Sequence, residues 1–307
     1  MDKCTINSLK TVQFEHIKTG EFVKQSVYSI HLLRRFVKEN LFNFQKVYKK
    51  EQNMVLGGKI CHLVCECAEV AALPLAREDE EHIFCGVSRI DIDKESAALA
   101  GRGEGRYVSI SFGALPSLDR DALEEITSVA AKELSALGAR CFDRSGYPRV
   151  LVVGLGNRRI THDSLGALTC DALACRENLF VFEVGVAGKS GIDSVRIVRE
   201  IAECCEADIV IAVDSLAARS EVRVGRVLQL SESGIAPASG VRKGSACVDR
   251  ASVGVPVIAI GIPTALSEDG GDARGYLSVG EDLLEICEVG AFVVSEMIKN
   301  AFKPKEE

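Results

Sequence analysis

Hydrophobic residues recur along this chain with two different periods, and their alternation predicts its layout. The runs at 149–157 (R-V-L-V-V-G-L-G-N), 179–184 (L-F-V-F-E-V), 209–213 (I-V-I-A-V) and 256–260 (P-V-I-A-I) are short, apolar and rich in β-branched residues. In 209–213 that is the pattern of a strand buried on both faces, 149–157 reads as a buried strand, and the other two read as strands. Stripes at helical spacing lie around them. Leu123, Ile126, Ala130, Leu134 and Leu137 follow a cap at Ser117 or Asp119 and precede Gly138, which reads as the helix stop. Val195, Val198, Ile201, Ala202 and Cys205 make the inner stripe of a helix over 193–205. Leu284, Cys287, Ala291, Val294, Ile298 and Phe302 make that of a last helix over about 280–302. Strand–helix–strand succession implies right-handed crossovers and a parallel sheet. Earlier, 87–92 reads as a strand and 94–100 as a helical piece, and 226–230 later as a further strand. Y-V-S-I-S-F at 107–112 alternates, which predicts a strand with one polar face, at an edge or in a small antiparallel lobe.

This layout places two carboxylates. Open parallel sheets hold their chemistry in the crevice beyond the carboxyl ends of the strands, where loops converge on a rigid support. Asp214 follows the 209–213 run at once, and Asp163 lies on the loop or first helical turn after the 149–157 strand, at the same end of the sheet. Asp214 alone has two readings: a cap for a helix or turn starting at Ser215, or a reacting carboxylate.

Composition narrows the classes. With 307 residues, 47% hydrophobic and 26% charged, the chain is long enough for one large α/β domain with a substantial core. A net charge of -7 argues against a general nucleic-acid binder. The twelve Cys are scattered, with no CxxC pair and no signal peptide read at the start, which points to a reducing cytoplasm. The longest apolar run, 253–266, contains Pro256 and Pro263 and is too short to cross a bilayer, so no membrane partner is expected. Residues 1 to about 53 differ from the rest, being rich in Lys, Phe and His. There 29–50 reads as a basic amphipathic helix (Leu32, Leu33, Phe36, Val37, Leu41, Phe44).

Other chemistry is thinner. Cys61, Cys65 and Cys67 with His62 match no common zinc-finger spacing, and no second ligand pair follows. Gly154-Leu155-Gly156 after a strand offers room for a phosphate, but Ile160 stands where a dinucleotide fingerprint has its third glycine, and no P-loop lysine follows. No cofactor and no resident metal are therefore expected.

The motifs V-V-G-L-G-N-R-R-I-T-H-D-S-L-G (152–166), G-K-S-G-I-D (188–193), I-A-V-D-S-L-A-A-R-S (211–220), S-G-I-A-P-A-S-G-V (233–241) and G-V-P-V-I-A-I-G-I-P-T (254–264) occur in an order that resembles the germination proteases of spore-forming bacteria. Those endopeptidases degrade small acid-soluble spore proteins. A weaker similarity covers 88–112. The resemblance implies an α/β fold of three layers, a mostly parallel central sheet flanked by helices, similar to hydrogenase-maturation endopeptidases (phosphorylase/hydrolase-like). It also implies a homotetramer made as a zymogen in the cytoplasm of the forespore, or spore core, with a catalytic pair at Asp163 and Asp214. Residues 63–307 carry the catalytic domain, and 1–62 form a divergent extension or altered pro-region. A family motif R-T-D-L-A-x-E is matched near 61–66 only by Leu63 and Glu66.

On this reading one ionised carboxyl activates water and one protonated carboxyl donates to the substrate, a division that two neighbouring carboxyls favour. Asn157, His162, Lys189, Arg219 and Ser220 are expected to bind substrate or support the pair. Three alternatives stand beside it: a metal-dependent variant using His162, Asp163, Glu183 and Asp214, a degenerate member that binds spore proteins or a regulator without cutting, and a nucleotide-binding module.

Overall fold

A computed structural model of the chain describes residues 63–66, 68–100, 102–141, 147–185, 192–235, 247–267, 276–278 and 282–303, all within one unit, Leu56–Glu307. The predicted helix at 29–50, the Cys61–His62–Cys67 cluster, Lys189 and most of the Gly/Ser-rich stretch after 235 lie outside the described residues. In chain order the strands are β1 (Arg77–Glu81), β2 (Cys85–Ile92), β3 (Gly105–Phe112), β4 (Val150–Leu155), β5 (Leu179–Gly185), β6 (Ile209–Ala218), β7 (Val227–Ser231), β8 (Val257–Ser267) and β9 (Tyr276–Ser278). The helices are α1 (Ala68–Ala72), α2 (Lys94–Ala100), α3 (Arg120–Cys141), α4 (Leu165–Ala172), α5 (Ser194–Cys204), α6 (Arg250–Val253) and α7 (Leu283–Ala301).

The four apolar runs do form parallel neighbours, in the order β5-β4-β6-β8, with Val152 beside Val181 and Ile211, and Ile211 beside Ile258. Every residue of β4 is buried, as expected of a strand covered on both faces. On the far side of β8 the same sheet continues antiparallel through β7, β3, β2 and β1, while β9 pairs with the end of β8. Helices cover both faces, giving the three expected layers. α3, α4 and α7 pack Ile126, Leu134, Leu165, Val294 and Ile298 onto Val152, Ile211 and Ile260. α5 and α6 pack Val198, Ala202 and Val253 onto Leu151, Val153, Val210 and Ala212. A third cluster, with Val64, Val70, Ile90, Ile92 and Tyr107, closes the remaining face of the antiparallel half.

Four local expectations are corrected. β6 does not stop at Val213: it runs on to Ala218, paired with β8 as far as Leu266, so no helix or turn starts at Ser215 for Asp214 to cap. Within the strand the Ser215 N–H donates to Asp214 Oδ1 at 2.9 Å instead. β3 pairs antiparallel with both β2 and β7, so the antiparallel setting holds, but it is not an edge strand and its polar positions Ser109 and Ser111 are buried. Gly138 does not end α3. It lies inside the helix, where a Cβ would stand 3.4 Å from the Phe302 ring, so its role is close packing against the end of α7. Leu284 is 54% exposed, and it is Cys287, Ala291, Val294 and Ile298 that form the buried stripe of α7. One strand carries no sequence signal: β1 is R-E-D-E-E, exposed throughout, and no hydrophobic pattern marks it. Charge on such an edge strand deters pairing with other chains.

Candidate active site

Two glycines bring the carboxylates together. After β4 the chain turns at Gly156 with φ +91, a region that favours glycine, and folds back so closely that a Cβ there would stand 2.3 Å from the main-chain O of Asp163 and 2.9 Å from its Oδ1. The 3-10 turn Thr161–Asp163 follows, then α4. At the start of α4, Gly166 lies on the sheet itself: a Cβ would stand 2.4 Å from the Leu155 carbonyl and 2.6 Å from that of Val213. The helix is thereby pressed between β4 and β6, next to the residue preceding Asp214. Asp214 sits within β6, opposite Gly261 of β8, and is 7% exposed. Asp163 is only partly buried, so the pair has one face toward solvent.

Burial sets the charge of this site. It pushes the Asp163 carboxyl up to about 6, against the opposing pull of the Asn157 N–H. Asp214 is pushed up to about 8, first by its burial and then by the charge of Asp163, while the Ser215 N–H, 2.9 Å from Oδ1, opposes both. The two titrate as a pair that retains one proton between about pH 6 and 8. His162, in the same turn, is lowered by burial, which favours its neutral form. A carboxylate and a carboxylic acid side by side can take a proton from one reacting group and give one to another.

A model of the germination protease family matches residues 66–270. The chain belongs to the germination protease family. It is 34% identical over 204 residues to the germination protease of Bacillus subtilis (strain 168), covering 62% of this chain and 55% of that protein. To the germination protease of Bacillus velezensis it is 37% identical over 196 residues, covering 59% and 53%. The chain thus spans about half the length of the curated relatives it matches. Among solved structures it is similar to the [NiFe] hydrogenase maturation protease HycI from Thermococcus kodakarensis, at 19% identity, covering 50% of this chain and 95% of that one, with a TM-score of 0.33.

Other residues singled out in the germination-protease motifs are divided by the fold. Asn157 joins the pair through its backbone: its N–H donates to the main-chain O of Asp163 at 2.8 Å, and its side chain accepts from Arg159 N at 3.1 Å. Arg219 and Ser220 do not join it. They lie beyond β6, about 16 Å along the strand direction from Asp214 at ~3.3 Å per residue. There their backbone N–H groups donate to the Glu66 carboxylate at 2.7 and 3.2 Å, which also pairs with Arg223 Nε at 3.3 Å. Glu66, marked in the sequence only by its place in a family motif, is thus a buried latch on the end of β6. Glu183 is held by Arg158, whose Nε lies 3.0 Å from both of its oxygens, and Arg158 also pairs with Asp171. Among the described residues no group of three or more His, Cys, Asp or Glu is arranged to hold a metal ion, and no helix is long and apolar enough to cross a membrane.

The glycines weighed as a phosphate turn are filled by the chain itself. A Cβ on Gly154 would stand 2.4 Å from the Gly166 carbonyl and 2.6 Å from Cys170 Sγ. Two further neighbours of the Asp163 turn, Thr264 and Cys287, carry no sign of that role in the sequence. Thr264 ends a motif whose strand is expected to stop at Ile260, and Cys287 reads only as part of a helix stripe.

Proposed function

We propose that this chain is an endopeptidase that starts the degradation of small acid-soluble spore proteins during spore germination, using Asp163 and Asp214 to activate water. The observation that carries this reading is the meeting of a buried and a partly buried carboxyl, from segments 51 positions apart, whose raised pKa values leave one proton between them near neutral pH. Asp163, ionised first, takes the proton of the attacking water. Asp214, protonated, gives its proton to the carbonyl oxygen or departing amine. Each group then holds the state in which the other began, and exchange with solvent through the exposed face resets the pair. Family membership supports the protein substrate, and with it synthesis as a zymogen, a homotetramer and residence in the forespore or spore core.

The test is incubation of the purified chain, beside Asp163→Asn and Asp214→Asn, with a small acid-soluble spore protein, reading fragments by mass spectrometry. An internal cut made by the parent and by neither variant is expected. Equal cutting by either variant sinks the paired-carboxylate mechanism, and retention of the substrate without a cut by any form makes the chain a binder.

A further inference from the structure

The turn that carries Asp163 is held from two sides by residues to which nothing so far assigns a role. Thr264, on β8 and fully buried, donates its hydroxyl to the main-chain O of His162 at 2.6 Å. Cys287, on α7 and fully buried, donates its thiol to the main-chain O of Thr161 at 3.2 Å and lies beside the Ser164 side chain. Ser164 Oγ donates to that same Thr161 O at 2.8 Å. Two successive carbonyls just before Asp163 are therefore anchored to different elements, one in the sheet and one in the helical layer.

These bonds are specific to the turn. Thr264 is a polar residue at the end of an apolar run, I-A-I-G-I-P-T, and its hydroxyl crosses from β8 to a turn 102 residues away. For core packing alone a valine of the same shape would serve, since it differs by the hydroxyl. A buried hydroxyl is retained without loss only where it finds a partner, and here the partner is the peptide unit joining His162 to Asp163. Since β8 also pairs Gly261 with Asp214, one strand contacts both halves of the pair.

We propose that Thr264 and Cys287 are positioning residues that fix the Asp163 carboxyl at its reacting distance from Asp214. This rests on the reading of Asp163 and Asp214 as the reacting pair. Neither residue touches the reacting atoms. Each acts through the main chain of the turn.

The test uses the full chain with Thr264→Val, Thr264→Ser and Cys287→Ala. Thr264→Val keeps the shape and removes the donor. Thr264→Ser keeps the donor and removes a methyl. Two readouts are taken: kcat and KM on a small acid-soluble spore protein, and the titration midpoint of the Asp163 carboxyl by 13C NMR, assigned with Asp163→Asn. Titratable groups coupled to that carboxyl are Asp214 of β6 and Cys287 of α7, with His162 its neighbour in the turn, and the Cys287→Ala spectrum removes one of them. A misplacement on the order of 1 Å lowers rates about 100-fold, so Thr264→Val is expected to lose about 10- to 100-fold in kcat with KM within about 2-fold. Its Asp163 midpoint is expected to fall from about 6 toward the ordinary 3.8 as the turn opens to water. Thr264→Ser is expected to restore both. Unchanged kcat and midpoint in Thr264→Val overturn the proposal, and so does a loss that Thr264→Ser shares. If Thr264→Val does not fold, Cys287→Ala is read by the same two measurements, and unchanged values there overturn the proposal equally. If the parent does not cut the protein, the pair's role is what fails, and the NMR midpoint still decides whether Thr264 sets the carboxyl's surroundings.

Discussion

Replacing Asp214 by Asn is expected to make the protein more stable at neutral and alkaline pH. In the folded chain the Asp214 carboxyl loses its proton only at about 8, whereas the unfolded chain follows the ordinary 3.8. A carboxyl with a raised folded pKa leaves stability complete below about pH 4. It then drains stability as the pH climbs toward 8, because unfolding releases a proton that the fold retains. At 1.36 kcal/mol per pH unit, the interval from 3.8 to about 8 amounts to roughly 5 to 6 kcal/mol by pH 9. About 1.5 kcal/mol of that is already lost at pH 5, leaving roughly 4 kcal/mol between pH 5 and 9. Asp163, raised to about 6, adds to the parent's slope, but its charge is one cause of the Asp214 shift, so the two contributions do not sum. Asn has nearly the same shape and no charge. The assay is urea unfolding of parent and Asp214→Asn at pH 5, 7 and 9. With a slope near 2–3 kcal/mol per molar urea, the parent's midpoint is expected to fall about 1.3–2 M more than the variant's across that range. Titrating groups other than the coupled Asp163 are shared, so their effects cancel in the comparison. Parallel pH dependence of the two proteins would refute the claim that Asp214 is held protonated by burial.

Four further outcomes follow from the same geometry. Cleavage rate against pH is expected to be bell-shaped with limbs near 6 and 8, since one proton on the pair is required, and a flat profile of initial rates across pH 5–9 would remove the shared-proton mechanism. Gly156→Ala is expected to cost about 1–3 kcal/mol in strained backbone and about 100-fold in rate, because its Cβ has no room beside Asp163; calorimetry and cleavage assays on one preparation read both. Glu66→Gln leaves the buried Arg223 guanidinium without its carboxylate and is expected to destabilise by about 3–5 kcal/mol, read as a fall in the urea midpoint. Chelator treatment is expected to leave cleavage intact, since Glu183 is engaged by Arg158; a loss restored by a divalent cation would favour the metal-dependent variant.

The legible parts of the fold are those whose apolar residues have a period. β4, β6 and β8, with α3, α5 and α7, announce themselves because each buries a continuous run or stripe, while β5, an edge strand with only Leu179 and Val184 buried, is marked by its apolar composition alone. β1 is illegible for the opposite reason: its five residues bury nothing, and it is a strand only because β2 offers a ladder. Strand ends mislead where polar or small residues interrupt a run. Asp214 in β6 and Gly261-Ile262-Pro263-Thr264 in β8 look like exits, yet each strand supplies the partner that carries the other past them. Strand order alone places the two carboxylates at one end of the sheet. Their closeness is not legible, because it depends on Gly156 meeting Asp163 across a tight turn and on Gly166 touching Val213, 47 positions away. Thr264, Cys287 and Glu66 are beyond reach for the same reason, since each acts on a segment more than 100 residues away.

The two halves of the pair are fixed by unlike means, and this predicts where the site is sensitive. Asp214 lies inside a ladder: β6 and β8 pair on both sides of it, and the Glu66 latch holds the strand's far end. Moving it means breaking several backbone bonds at once. Asp163 stands on a 3-10 turn outside the sheet, kept in place by Gly156 beneath it and by single side-chain bonds from Thr264, Cys287 and Ser164. Any one of those is worth about 1 kcal/mol net, far less than the ladder around Asp214. Variation in the distance between the carboxyls must therefore come from the Asp163 side. Because Asp163's charge helps hold the proton on Asp214, the same movement changes both titrations together. A perturbation of the turn is thus expected to lower the alkaline limb of the rate profile along with the acid one, whereas loosening the distant Glu66 latch is expected to alter stability first.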